Sequence, residues 1–230
     1  MDDLADVPGE LVDVLAEARR RGFLGPGPLG EHVAHARGFA AAYLRGLPAG
    51  LTEAPGLTEA PGPARWLDLG SGGGLPGLVL ALCWPDAQAV LLDGAQRRTG
   101  FLAAAVRALG WDSRVTVVRA RAEEAGRRPD LRARFDLVVA RSFGLPPVTA
   151  ECAAPFLRPG GLLVVSEPPT AGAAGAAASG RWPAEGLAVV GQQPGPFVRY
   201  GFGYQVVRQA APCPERFPRR VGSAAKRPIY

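Results

Sequence analysis

Residues 66–82 read WLDLGSGGGLPGLVLAL, with glycine at 70, 72, 73, 74 and 77 between two apolar runs. Each ordered glycine costs backbone entropy. Five of them at one junction mark a place where bare backbone must approach something closely. The run before them is strand-like and the run after them helical. The stretch therefore predicts a strand, a tight turn and a helix: the opening unit of an α/β fold.

The pattern repeats outward from there. Strands are predicted at Arg65–Leu69, Ala89–Asp93, Arg114–Val118, 135–141 and 161–167. Helices are predicted between them, near 76–83, 95–109 and 146–157. FDLVVAR at 135–141 is almost wholly apolar, as a strand buried on both faces should be. Two more strands, near 187–191 and 198–208, would complete a sheet of seven. Alternating strands and helices imply a mostly parallel sheet with right-handed crossovers and helices on both faces. This is a Rossmann-like architecture, and its ligands bind beyond the carboxyl ends of the strands.

Before Arg65 the periodicity is helical, over about 9–21 and 29–46. LTEAPG is then written twice, at 51–62. The expected organisation is an N-terminal helical extension (1–50), a linker (51–64) and one α/β domain (65–230). The Ala/Gly-rich stretch 171–180 reads as a mobile loop.

Composition narrows the function. The 230 residues carry 26 basic and 21 acidic side chains, a net charge of +5, and Lys226 is the only lysine. Such a balance permits an anionic partner without demonstrating one. Three scattered cysteines, Cys83, Cys152 and Cys213, fit neither a disulfide framework nor a zinc cluster. His32 and His35, the only histidines, lie three apart on a helix and read as packing or surface residues, so no metal is expected. The acidic N-terminal sequence has no signal-peptide pattern, and no apolar run is long enough to span a membrane. The expected compartment is the cytoplasm.

The glycine turn fits two motifs. Gly72-x-Gly74-x-x-Gly77 matches the dinucleotide fingerprint. Asp68-x-Gly70-x-Gly72-x-Gly74 matches the D-x-G-x-G-x-G turn of methyltransferases that use S-adenosylmethionine. Asp93, at the end of strand two, can accept the ribose hydroxyls of either cofactor. Asp68 separates the two, because a carboxylate repels a pyrophosphate and favours a sulfonium and an ammonium. Ala122 and Glu123 follow strand three, where an adenine edge would lie. Arg141 ends strand four at the mouth of the site.

In this order, DLGSGGGLPG, LLD, RAEE, FDLVVARSF and the tail RFPRRVGSAAKRP resemble the RsmG (GidB) family. Those are bacterial small-subunit ribosomal RNA guanine-N7 methyltransferases of class I fold. The resemblance covers Arg65–Glu167 and the last fifteen residues. It implies that Gly70 and Leu75 contact S-adenosylmethionine in the first turn, and that Ala122 and Glu123 meet its adenine. It also implies that Arg141 completes the pocket and helps orient the target base. The tail cations Arg216, Arg219, Arg220 and Lys226 would then meet ribosomal RNA or the 30S subunit. Before the first strand this family usually carries a Trp-x-x-His-x-x-Asp-Ser-like stretch, where this chain has GEHVAHARGFA. That departure keeps a methyltransferase for a small heterocycle open, and a nicotinamide- or nucleotide-binding module is the third reading.

Overall fold

The computed structural model describes residues 4–48, 62–168 and 180–230. Two helices open the chain, α1 (Gly9–Arg20) and α2 (Leu29–Gly46). The α/β units follow: β1 (Arg65–Leu69), α3 (Gly77–Cys83), β2 (Gln88–Asp93), α4 (Gln96–Ala108), β3 (Val115–Arg119), α5 (Ala122–Ala125), β4 (Phe135–Ala140), α6 (Pro146–Ala153) and β5 (Leu157–Glu167). The chain ends with α7 (Ala184–Ala188), β6 (Gln192–Tyr200), β7 (Phe202–Gln209) and α8 (Ser223–Lys226).

The seven strands run in the order β3-β2-β1-β4-β5-β7-β6. The five from β3 to β5 are parallel, and β7 runs antiparallel to both β5 and β6. Strand order reverses between β1 and β4. A crevice therefore opens there at the carboxyl ends, below the glycine turn.

Alternate side chains of each strand feed opposite faces. Trp66, Leu91, Leu137, Val139 and Val164 pack on one face with α1 to α4, while Leu67, Leu69, Val138, Ala140 and Leu163 pack on the other with α5 to α7. Helices α1 and α2 share the first cluster through Leu11, Leu15, Val33, Ala36 and Phe39. A Cβ on Gly38 of α2 would lie 2.0 Å from Tyr204 Oη of β7, so the helix sits directly on the sheet.

Two predicted strands require correction. Residues 184–188 form helix α7, where 187–191 was expected to be strand. Leu187 and Val190, three apart, are both buried, which is helical rather than alternating spacing. The strand expected over 198–208 is a hairpin instead. Gly201, at φ +67°, reverses the chain between Tyr200 and Phe202. Strand β5 also begins earlier than expected, at Leu157, across a register shift beside Phe135 and Leu137. Most of the expected linker, and 171–179 of the expected loop, lie outside the described residues.

Candidate active site

The glycine turn is held from beneath. Asp68 is almost wholly buried, and its Oδ2 accepts the Gly77 N–H at 2.9 Å. A carboxylate at the start of α3 satisfies one of the donors that a helix leaves free. A Cβ on Gly77 would lie 2.5 Å from that oxygen, so only glycine admits the contact. Ser71 Oγ donates to the Asp68 carbonyl at 3.0 Å. Gly70, Gly72 and Gly74 all have positive φ, the left-handed region that glycine enters without strain.

A cavity of about 460 Å³ opens beside the turn, a size usual for small-molecule sites. Of the residues predicted to hold the cofactor, Gly70, Asp93, Ala122 and Glu123 line it. Asp68, Gly72, Leu75 and Arg141 do not. Asp93 accepts the Gly72 N–H on Oδ2 at 3.0 Å and the Ala95 N–H on Oδ1 at 2.8 Å. Each oxygen keeps a second lone pair, so the carboxylate can accept two further hydroxyls. Glu123 lines the cavity and is also tied into the fold through one oxygen. Its Oε1 accepts the Gly222 N–H at 3.0 Å, tying the C-terminal tail to α5. Cys152 also lines the cavity, but burial pushes its thiol up to about 12, so it is no nucleophile at neutral pH.

Arg141 leads out of β4 into Ser142, which holds a φ of +53°. A left-handed non-glycine residue beside a cavity is a local strain. The Arg141 Nη2 donates to His32 Nδ1 at 2.9 Å, and His32 Nε2 donates to the Gly25 carbonyl at 3.2 Å. Burial, with the Arg141 charge second, lowers the pKa of His32 and keeps its ring neutral. Sequence reasoning missed this pair, because 109 positions separate the partners and neither carries a motif that names the other. His35 instead stacks on Phe202 at 4.3 Å between ring centres.

Among the described residues, two buried polar atoms around the turn have no hydrogen-bond partner: Asp68 Oδ1 and Arg141 Nη1. Burial pushes the Asp68 carboxyl up to about 7, opposed by the Gly77 N–H. An amino acid's ammonium and carboxylate have the complementary charges. Asp68 Oδ1 and Arg141 Nη1 thus hold opposite charges behind the turn, and Asp93 offers acceptors at the cavity itself.

The tail is folded rather than loose. Arg219 Nε donates to the buried Glu151 Oε1 at 2.9 Å, and its Nη2 donates to the Arg227 carbonyl at 2.6 Å. Arg132 donates to the carbonyls of Cys213 and Phe217 at 3.0 and 2.8 Å. Arg219 is thus occupied within the protein, while Arg216, Arg220 and Lys226 are exposed. Among the described residues, no group of three or more His, Cys, Asp or Glu side chains is placed to hold a metal. No described helix is long and apolar enough to cross a membrane.

The seven-stranded sheet, with a glycine turn after β1 and an acid at the end of β2, has the Rossmann-like fold of class I methyltransferases. An O-methyltransferase from Bacillus cereus, solved in complex with S-adenosylhomocysteine, shares this fold. It has a TM-score of 0.61 and 14% identity, over 89% of this chain and 94% of its own. The family model for rRNA small subunit methyltransferase G matches residues 53–168. Two proteins named Ribosomal RNA small subunit methyltransferase G, from Prochlorococcus marinus strains MIT 9313 and MIT 9303, are 41% and 40% identical. Each match covers 73% of this chain and 68% of the relative. The chain belongs to the rRNA small subunit methyltransferase G family.

Proposed function

We propose that this protein transfers a methyl group from S-adenosylmethionine to guanine N7 in small-subunit ribosomal RNA, acting on the 30S subunit. One observation carries the reading. In a chain of this family, the cavity at the β1/β4 reversal is bounded by Gly70 and by an Asp93 carboxylate with accepting positions to spare.

When bound, S-adenosylmethionine supplies an electrophilic methyl group on a sulfonium. The protein's own part is placement. Asp93 would hold the ribose, and Ala122 with the wall beside Glu123 would bound the adenine. Gly70 leaves the backbone bare; a Cβ there would meet Phe143 at 2.7 Å. Arg141 is a positioning residue, since its charge lies near Asp68 and both histidines. Guanine N7 offers an in-plane lone pair and has no proton to lose. No general base is needed, and alignment at near-attack distance is the main requirement. The neutral His32, locked between Arg141 and Gly25, is not placed to act as a base. Arg216, Arg220 and Lys226 would add salt-dependent affinity for RNA phosphates.

Labelled S-adenosylmethionine, offered with 30S subunits, deproteinised ribosomal RNA or free guanine nucleotides, tests the reading. Label in the RNA of 30S subunits supports it. Label in the free nucleotide alone would replace it with a small-molecule methyltransferase.

A further inference from the structure

A second cavity, of about 350 Å³, lies beside the first and is lined by His35, Phe143, Glu167, Arg181 and Trp182 among others. The two cavities share Ser142, Phe143 and Gly144, the segment that follows β4. The cofactor reading makes no use of the second cavity. Glu167 stands at the carboxyl end of β5, and its side chain is buried. Its Oε1 accepts the Trp182 Nε1–H at 2.7 Å. Arg181 Nε lies 2.8 Å from Oε2, close enough for an ion pair, but its N–H is not aimed at that oxygen. Oε2 therefore takes no hydrogen bond. His35 Nε2, on the same wall, is also buried without a partner. Glu167 Oε2, ion-paired but without an aimed hydrogen bond, and His35 Nε2 are polar atoms on this wall that a ligand in the cavity could complete.

We propose that this cavity receives the base to be methylated and that Glu167, with Arg181 beside it, selects guanine. The inference rests on the ribosomal RNA guanine reading above. Guanine's Watson–Crick edge presents the N1–H and N2–H donors next to the O6 acceptor. A carboxylate accepts from the first two, and a neighbouring guanidinium donates to the third. Adenine instead turns the N1 lone pair toward the carboxylate and its amine toward the guanidinium, so both contacts become repulsive. The pairing also favours the reaction. As the bond from N7 to the methyl carbon forms, the bond from that carbon to sulfur breaks, and the positive charge passes from sulfur to the purine. No proton leaves. The charged purine makes N1–H a stronger donor, so its contact with Glu167 tightens toward the transition state.

The test uses 30S subunits reconstituted from small-subunit ribosomal RNA transcripts that carry either guanosine or inosine, which lacks the N2 amine, at the modified position. Wild type should methylate the guanosine transcript with a kcat/KM about tenfold or more above the inosine transcript. Glu167→Gln should bind S-adenosylmethionine as wild type does in calorimetry, yet lose about tenfold or more in kcat/KM on guanosine. Glu167→Ala should lose the preference between the two transcripts. Equal methylation of both transcripts by wild type would overturn the inference, and that comparison requires no variant to fold. A Glu167→Gln enzyme as active as wild type would also overturn it. If wild type labels neither transcript, the ribosomal RNA reading fails, and this inference fails with it.

Discussion

Asp68 does two jobs with one carboxylate. It fastens α3 through the Gly77 N–H and leaves Oδ1 open in a buried setting. Burial raises its pKa to about 7, so the carboxyl is largely protonated below that pH in the free protein. A cationic ligand above the turn favours the ionised form. Binding then releases a proton, and affinity rises with pH. Calorimetry should show S-adenosylmethionine affinity climbing by about tenfold per pH unit well below 7 and levelling off above it. Asp68→Asn should weaken binding and flatten that profile; an unchanged slope would remove the carboxylate from the account. Gly77→Ala tests the other contact. The new methyl group would meet both Asp68 Oδ2 and Leu91 Cδ2 at 2.5 Å, and both side chains are buried. Overpacking of this kind costs about 1–3 kcal/mol, which thermal unfolding will read as a lower Tm.

At the scale of elements, the C-terminal tail matters most. Gly222 and Ala225 line the cofactor cavity, and Glu123, Glu151, Arg127 and Arg132 hold the chain that carries them. Arg219→Ala would leave the buried Glu151 carboxylate without its cation. Removing one partner of a buried pair costs about 3 kcal/mol. The variant should lose stability by about that amount, be cut more readily within the last twenty residues by protease, and bind cofactor less tightly. Core strands and helices were legible in the sequence because their burial imposes period. Arg65–Leu69 and FDLVVA announce a buried strand whatever surrounds them. The strand expected at 187–191 was not, because an apolar run of five residues suits a short helix or a strand equally. Tertiary contact with α6 decided for the helix. Asp93 and Gly70 were legible because motif and strand end fix them locally. The His32–Arg141 pair, the Glu123–Gly222 bond and the Glu167 cavity were not. Each joins distant segments, and nothing in the spacing of either partner records the other.

At the scale of the whole molecule, the sheet gathers the turn, the Arg141 bend and the β5 end into one crevice, with α2 and the tail closing its sides. Arg98 and Arg121 line the first cavity and Arg181 the second, on a chain of net charge +5. Replacing Arg216, Arg220 and Lys226 together by alanine should weaken RNA binding and reduce the slope of log K against log salt by about 2. Affinity for S-adenosylmethionine should not change. If the salt slope is unaltered, RNA approaches another face. The central claim is methyl transfer to guanine N7 in ribosomal RNA. Its most direct test is mass-spectrometric mapping of methylated nucleotides in small-subunit RNA from cells with and without this protein. The account predicts one 7-methylguanosine that disappears when the protein is absent and returns when it is supplied. An unchanged set of methylated nucleotides, or loss of a methyl group from any other atom, would contradict it.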